Sequence, residues 1–238
     1  MNVIDITYDF RLDSKCGDPD TDSLKLYEAH QTLWNKTLPC GKSFDFKVIG
    51  DKYGRFLLKN KLYMNLSSDR MCPHFVGKYK GKFNGWLSES QEENFQNKVR
   101  TIGGHIVFPA HRKDGFTINQ ARGVSRLICD RFDLTIECIK RFYENMQSPL
   151  SKAIERYDDF FALFESFDGY IDFFQLQDFL TKDREVNFAL PFDNFNRSPL
   201  PLTAEEYNDY RVHTLDLIER RNRRILNKLK EMPAGNNV

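Results

Sequence analysis

Residues 108–123, FPAHRKDGFTINQARG, gather His111, Arg112, Asn119 and Arg122 where a strand gives way to a helix. Thr117 and Gln120 have the spacing of a capping box, which starts a helix at that point. A helix N-terminus offers free N–H groups and the positive end of the helix dipole, and phosphate groups settle there readily. Asn119, Arg122 and Arg126 then form one polar stripe along the helix. Guanidinium groups grip phosphate through paired hydrogen bonds, and Arg112 approaches from the loop. His111 borders the same loop, and an imidazole can give or take a proton near neutral pH. A second reading of these residues is an internal ion-pair network. Asp130, Asp133 and Glu137 follow closely and are ready partners for the arginines.

Other chemistries find less support. Asp130, Asp133 and Glu137 offer only oxygen ligands, which suit a hard cation, but Asp133 is more simply a helix N-cap. DPDTDS, at 18–23, begins like a calcium loop and fails at its sixth position, Ser23, and its twelfth, Ala29. The five histidines show no metal-binding pairing, and neither G-x-S-x-G nor a P-loop is present. No metal is therefore expected. Residues 158–180 hold seven phenylalanines, and the helical spacing of Phe160, Phe161, Phe164 and Phe167 points to core packing. ERRNRRILNKLK, 219–230, is a basic helix face for solvent, phosphates or an acidic partner.

The elements that must position these groups follow from pattern. LKLYEAHQTLWN, 24–35, is a helix, and SFDFKVIG is a strand by its alternation of Phe44, Phe46 and Val48. Strands are also expected at Arg55–Leu58, 62–66 and 105–109. GKYKGKFNGW, 77–86, reads as a loop or hairpin. Ser88 and Gln91 cap a helix running to Val99. Beyond Thr117 the pattern is helical: 118–129, 133–145, 149–166, 169–181, and 204–231 behind the Thr203–Glu206 box. The first 23 residues look extended. The fold expected is α+β, a mixed or antiparallel sheet in the N-terminal half packed by a largely helical C-terminal half. One domain spans 1–238, with a β-containing lobe at 1–116 and a helical lobe at 117–238.

With 35 Lys and Arg against 34 Asp and Glu, the chain carries no overall charge to draw it to nucleic acid or membrane. No apolar run approaches the roughly 20 residues that span a bilayer, and MNVIDITYDFR lacks the pattern of a secretory signal. Five scattered cysteines without a C-x-x-C pair fit reduced thiols in a cytoplasm.

YDFR (8–11), LWNKTLPCG (33–41), TINQARG (117–123), DRFDLTIECIKRFY (130–143), LPFDNF (190–195) and RNRRI (221–225) together resemble a bacterial family of unknown function. That resemblance spans nearly the whole chain and implies no activity. Three shorter words are similar to toxin-like ADP-ribosyltransferases: FRLDSK (10–15) to their NAD-gripping arginine, LSSD (66–69) to their serine-rich strand, and QEE (91–93) to their catalytic glutamate. Glu93 falls in the helix expected there, whereas the family places that glutamate beside a strand. The resemblance implies NAD as a cofactor, Arg11 on its phosphates and Glu93 in catalysis. Taken together, the residues point to an arginine-lined phosphate site in an enzyme acting on a nucleotide, NAD or nucleic acid. Arg11, Arg112 and Arg122 would clamp phosphate, Asn119 would orient substrate, and His111 or Glu93 would move protons. The alternative is a non-catalytic protein-interaction module, from a toxin–antitoxin or phage-defence setting.

Overall fold

The alternation around Phe44 and Phe46 becomes the first strand of an antiparallel meander, with both rings fully buried. The computed structural model describes residues 4–48, the backbone of 55–58, and residues 64–72, 81–110 and 114–231. Strands β1 (Phe46–Val48), β2 (Arg55–Leu58), β3 (Met64–Arg70) and β4 (His105–Pro109) lie side by side in chain order. Every pairing is antiparallel, which decides between the mixed and antiparallel sheets left open by the sequence. The architecture is α+β, with the sheet in the N-terminal half and helices dominating the C-terminal half.

Before the sheet stand a short 3-10 turn (Phe10–Asp13), helix α1 (Pro19–Asp22) and helix α2 (Leu24–Trp34). The extended stretch expected there is therefore broken twice. Asp9 accepts the Arg11 N–H to start the turn, and Pro19 occupies the first turn of α1, where its missing N–H costs nothing. Helix α3 (Glu89–Val99) links β3 to β4 and opens on the expected Ser88–Gln91 box. All five residues of β4 are buried. Period two then brings Ser68 and His105 to the face covered by α2, and Ser67 and Asp69 to the other face.

After β4 come α4 (Ile118–Val124) and α5 (Phe132–Tyr143). Two long helices expected at 149–166 and 169–181 are instead short pieces: α6 (Ser151–Glu155), α7 (Asp158–Phe161) and α8 (Phe167–Phe173), with 3-10 turns at 162–164 and 177–179. Glu165 and Gln175 take positive φ and turn the chain at places no glycine or proline marks. The turns fold the aromatic run back on itself. Phe164 meets Phe173 and Phe174 at 5.1 and 5.2 Å, and Phe174 meets Trp34 of α2 at 5.2 Å. Helix α9 (Ala204–Glu231) has the bounds read from sequence, with Thr203 accepting the Glu206 N–H. Its buried stripe of Tyr207, Tyr210, Leu217, Ile218, Arg221 and Ile225 joins a core drawn from both halves of the chain.

Candidate functional site

Thr117 caps α4 as the sequence predicts, its side chain accepting the Gln120 N–H while Gln120 reaches back to Thr117. The stripe that follows turns inward onto β3. Asn119 donates to the Ser67 hydroxyl at 3.3 Å and to the Ser68 carbonyl at 3.5 Å. Arg122 is 0% exposed. Its Nε donates to Thr135, its Nη1 pairs with the Asp69 carboxylate, and its Nη2 donates to the Asp130 carbonyl at 2.8 Å. Longer bonds to the carbonyls of Arg70 and Met71 occupy what remains. The expectation that Arg122 clamps phosphate is corrected here, because no donor is left for a ligand. Its carboxylate partner is Asp69, not one of the acids downstream. Two of those acids serve other arginines: Asp133 pairs with Arg131, and Glu137 with Arg141 at 2.7 Å. Asp133 sits inside α5 and makes no N-cap; Arg131 holds that position.

His111 and Arg112 lie outside the described residues, as do Leu62, Tyr63 and residues 77–80. Arg11 and Glu93 come together. Both line a groove of about 1020 Å³ between the N-terminal segment, α3 and α9, in company with Tyr8, Asn94 and Asn97. A smaller recess of about 410 Å³ shares Arg11, Glu93 and Asn97. Arg11 is held by Asp9, with Nε 3.0 Å from either oxygen, and by Asn97. Glu93 stands exposed on α3. Asn119 and Arg122 line neither space, so the residues named from sequence divide between two places.

A different set of side chains makes the more reactive environment. The β3–β4 register sets Arg70 opposite His105, which places their side chains next to each other on the α2 face. Arg100 arrives as the residue closing α3, fixed by the Phe10 N–H that donates to its carbonyl at 3.2 Å. It is 8% exposed, and its Nε is buried without a partner. Neither Arg70 nor Arg100 has a guanidinium hydrogen bond or ion pair among the described residues. Burial, then the neighbouring charges of Arg70 and Arg11, lower the Arg100 pKa to about 10, with Asp20 and Asp18 opposing. Three cations thus approach one another, and of the three only Arg11 has an ion-pair partner among the described residues.

Asp20 of α1 faces this group and hydrogen-bonds His105 Nδ1 at 3.0 Å. Burial alone would raise its carboxyl, but the charge and hydrogen bond of His105, a hydrogen bond from Ser68 and the charge of Arg70 hold it down at about 2. His105 is fully buried, and its Nε2 has no partner among the described residues. Beside it, Ser68 and His30 look like a nucleophile and its base but are wired the wrong way. Trp34 donates to His30 Nδ1 at 2.9 Å, so His30 carries its proton on Nε2 and donates it to Ser68 at 3.0 Å. Burial, with the charges of His105 and Arg221, drives the His30 pKa far down, and it cannot take a proton from Ser68. On the far face of β3, burial raises the Asp69 carboxyl to about 7 against the pull of Arg122, with Asp20 and Asp130 adding to the rise.

Sequence reading missed Asp20, Arg70, Arg100 and His105 as a site because no local spacing joins them. The one signal was the SSDR end of β3, whose serines and aspartate stood out while its arginine did not. Among the described residues, no group of three His, Cys, Asp or Glu side chains could hold a metal ion. No helix among them is long and apolar enough to cross a membrane.

A family of unknown function, DUF6994, matches residues 4–225, and the chain belongs to it. No curated protein and no solved structure matches the chain.

Proposed function

We propose that this member of a family without an assigned activity binds a phosphate-bearing small molecule, a nucleotide or dinucleotide, with its phosphate on Arg70 and Arg100. The observation that carries the reading is Arg100, a buried guanidinium with no carboxylate in contact and an unpartnered Nε among the described residues. Burying an unpaired charge costs several kcal/mol, and an anion from outside the chain would offset that cost. Phosphate suits the place because two guanidinium groups can share its oxygens through paired hydrogen bonds. Arg11, whose charge acts on Arg100, also lines the groove, where Tyr8, Asn97 and the exposed Glu93 would meet the rest of the ligand. The groove is at the upper end of the roughly 300–1,000 Å³ common for small-molecule sites. If the ligand is NAD, Glu93 is the carboxylate available for transfer chemistry.

The test is a thermal-shift series with inorganic phosphate, AMP, ATP and NAD, on the parent protein and on Arg100→Ala. Ligand at about 100 times its Kd stabilises by roughly 2.7 kcal/mol, a shift of several degrees. The expected result is a shift with a phosphate-bearing ligand that Arg100→Ala abolishes. No shift with any of them sinks the reading. A non-catalytic interaction module is the second reading. Phe116, Val124 and Leu127, 53%, 60% and 45% exposed around α4, favour it, and it predicts no response to phosphate ligands.

A further inference from the structure

We infer that the groove holds the base of the nucleotide and selects guanine, with Glu93 and Asn97 reading its edge while it stacks on Tyr8. The inference rests on the nucleotide reading above and adds the identity of the base. Its residues stand on two walls of the groove, Tyr8 on the N-terminal segment and Glu93, Asn94 and Asn97 on α3. Tyr8 also lines a recess of about 310 Å³ on its other side, so its ring is a wall between the two spaces. Lys25 and Phe10 line that recess and not the groove. Lys25 Nζ sits over the Tyr8 ring, 3.9 Å from its centroid, and the Phe10 ring meets it edge-on at 5.5 Å. The ring is braced from the recess, which leaves its groove side for a flat base to stack on.

What the α3 wall can bind is set by the bonds its side chains already make. Arg11 only donates, so the Asn97 atom 2.5 Å from its Nη2 is the amide oxygen, and Nδ2 is left as a donor. Of the four carboxylates lining the groove, Asp5 accepts from Thr7, Asp9 pairs with Arg11, and Glu219 pairs with Lys98. Glu93 is the fourth, and it has no hydrogen bond or ion pair among the described residues. A carboxylate offers acceptors only. Residues four apart on a helix are neighbours, with Cβ atoms about 5–6 Å apart, so α3 presents the Asn97 donor beside the Glu93 acceptors. Guanine carries the complement along one edge: the O6 acceptor, then the N1–H and N2–H donors. Adenine fails twice there. It sets an amine against the Asn97 donor and a bare ring nitrogen against a carboxylate oxygen. Hypoxanthine keeps O6 and N1–H but lacks the N2 amine, and so makes one bond fewer. Asn94, also without a partner among the described residues, is left for the sugar.

Titration calorimetry on the full chain with GMP, IMP and AMP tests this, since the three share sugar and phosphate and differ in the base. GMP should bind at least about tenfold tighter than AMP, with IMP between them. Glu93→Gln keeps one acceptor for N1–H and turns the other into an amine that faces the N2 amine. It should weaken GMP about tenfold and leave IMP within about twofold, so that the preference for GMP over IMP is lost. Glu93 is exposed and without a partner among the described residues, so this variant should keep the parent's melting temperature. Tyr8→Leu should weaken all three nucleotides by a similar factor, through the lost stacking. Equal affinity for GMP and AMP overturns this inference and leaves the phosphate reading standing. A preference for GMP over IMP that persists in Glu93→Gln also overturns it. A guanine preference that survives unchanged in Arg100→Ala upholds the base site and sinks the phosphate position. Absence of binding by all three nucleotides at millimolar concentration overturns both.

Discussion

Arg100 and Arg122 are both buried, yet their surroundings give them opposite duties. Arg122 is saturated by Asp69, Thr135 and three carbonyl oxygens, whereas Arg100 has no carboxylate in contact among the described residues. Arg122→Ala should therefore destabilise the protein, on the order of 3 kcal/mol, because it strands the partly buried Asp69 carboxylate. Arg100→Ala should cost no more than about 1 kcal/mol of stability, because it strands no carboxylate and removes a charge whose burial is itself costly. Chemical denaturation of the two variants checks the contrast, and equal losses would show Arg100 to be structural. Sequence reading chose Arg122 because it lies next to the helix cap, and could not see Asp69 reaching it from a distant strand. Asp20 gives a pH prediction at the same scale. Its carboxyl is held at about 2 in the folded protein against an ordinary 3.8. A depressed pKa contributes stability that is fully present above the unfolded value and is lost as pH falls through the folded one. Between pH 4 and pH 2 the parent should lose on the order of 2 kcal/mol more than Asp20→Asn. Urea midpoints across that range would show it, and parallel curves would refute it.

At the scale of elements, the caps were the most legible part of the chain. Ser88, Thr117 and Thr203 each open a helix where the sequence places one, because a cap is a contact within four residues. Helix ends in the aromatic region were not legible, since the chain turns there through positive φ at Glu165 and Gln175, residue types that give no local sign of it. Gly169 lies in the same region. A Cβ there would stand 2.0 Å from the Phe164 carbonyl oxygen, so α8 can approach the preceding turn only with glycine inside it. Gly104 does this for the candidate site. A Cβ at Gly104 would lie 2.1 Å from the Val99 carbonyl oxygen, at the end of α3. Gly104→Ala must push that helix end away from β4, and Arg100 with it. Its expected cost is several kcal/mol, with loss of any phosphate-induced thermal shift even where the variant still folds. A variant of unchanged melting temperature and full ligand response would show that α3 is free to move.

For the whole molecule, the decisive joint is Arg221. It is fully buried on α9 and hydrogen-bonds the carbonyls of Gly103, His105, Phe174 and Gln175. The first two belong to the approach to β4, the others to the end of the aromatic run. One guanidinium thus ties the sheet, the aromatic core and the long helix together, and it supports the backbone of His105 directly. Burial lowers its pKa to about 9, and no carboxylate among the described residues balances it in contact. In sequence Arg221 stood within ERRNRRILNKLK and was read as part of a solvated basic face. The helix was legible, but not which of its arginines faces inward. Asn222 beside it also turns inward, accepting the Gly103 N–H at 2.7 Å and donating to Thr101 at 2.8 Å. Arg221→Met keeps most of the volume but removes the donors, leaving four carbonyl groups without their partner. At about 1 kcal/mol or more for each, the loss should reach several kcal/mol and consume much of a typical stability of roughly 5–15 kcal/mol. The variant should unfold at markedly lower urea concentration, and amide exchange should quicken in β4 and in the 3-10 turn after α8 together. If exchange quickens in α9 alone, Arg221 anchors only its own helix, and the sheet and the aromatic core are held to each other by packing instead.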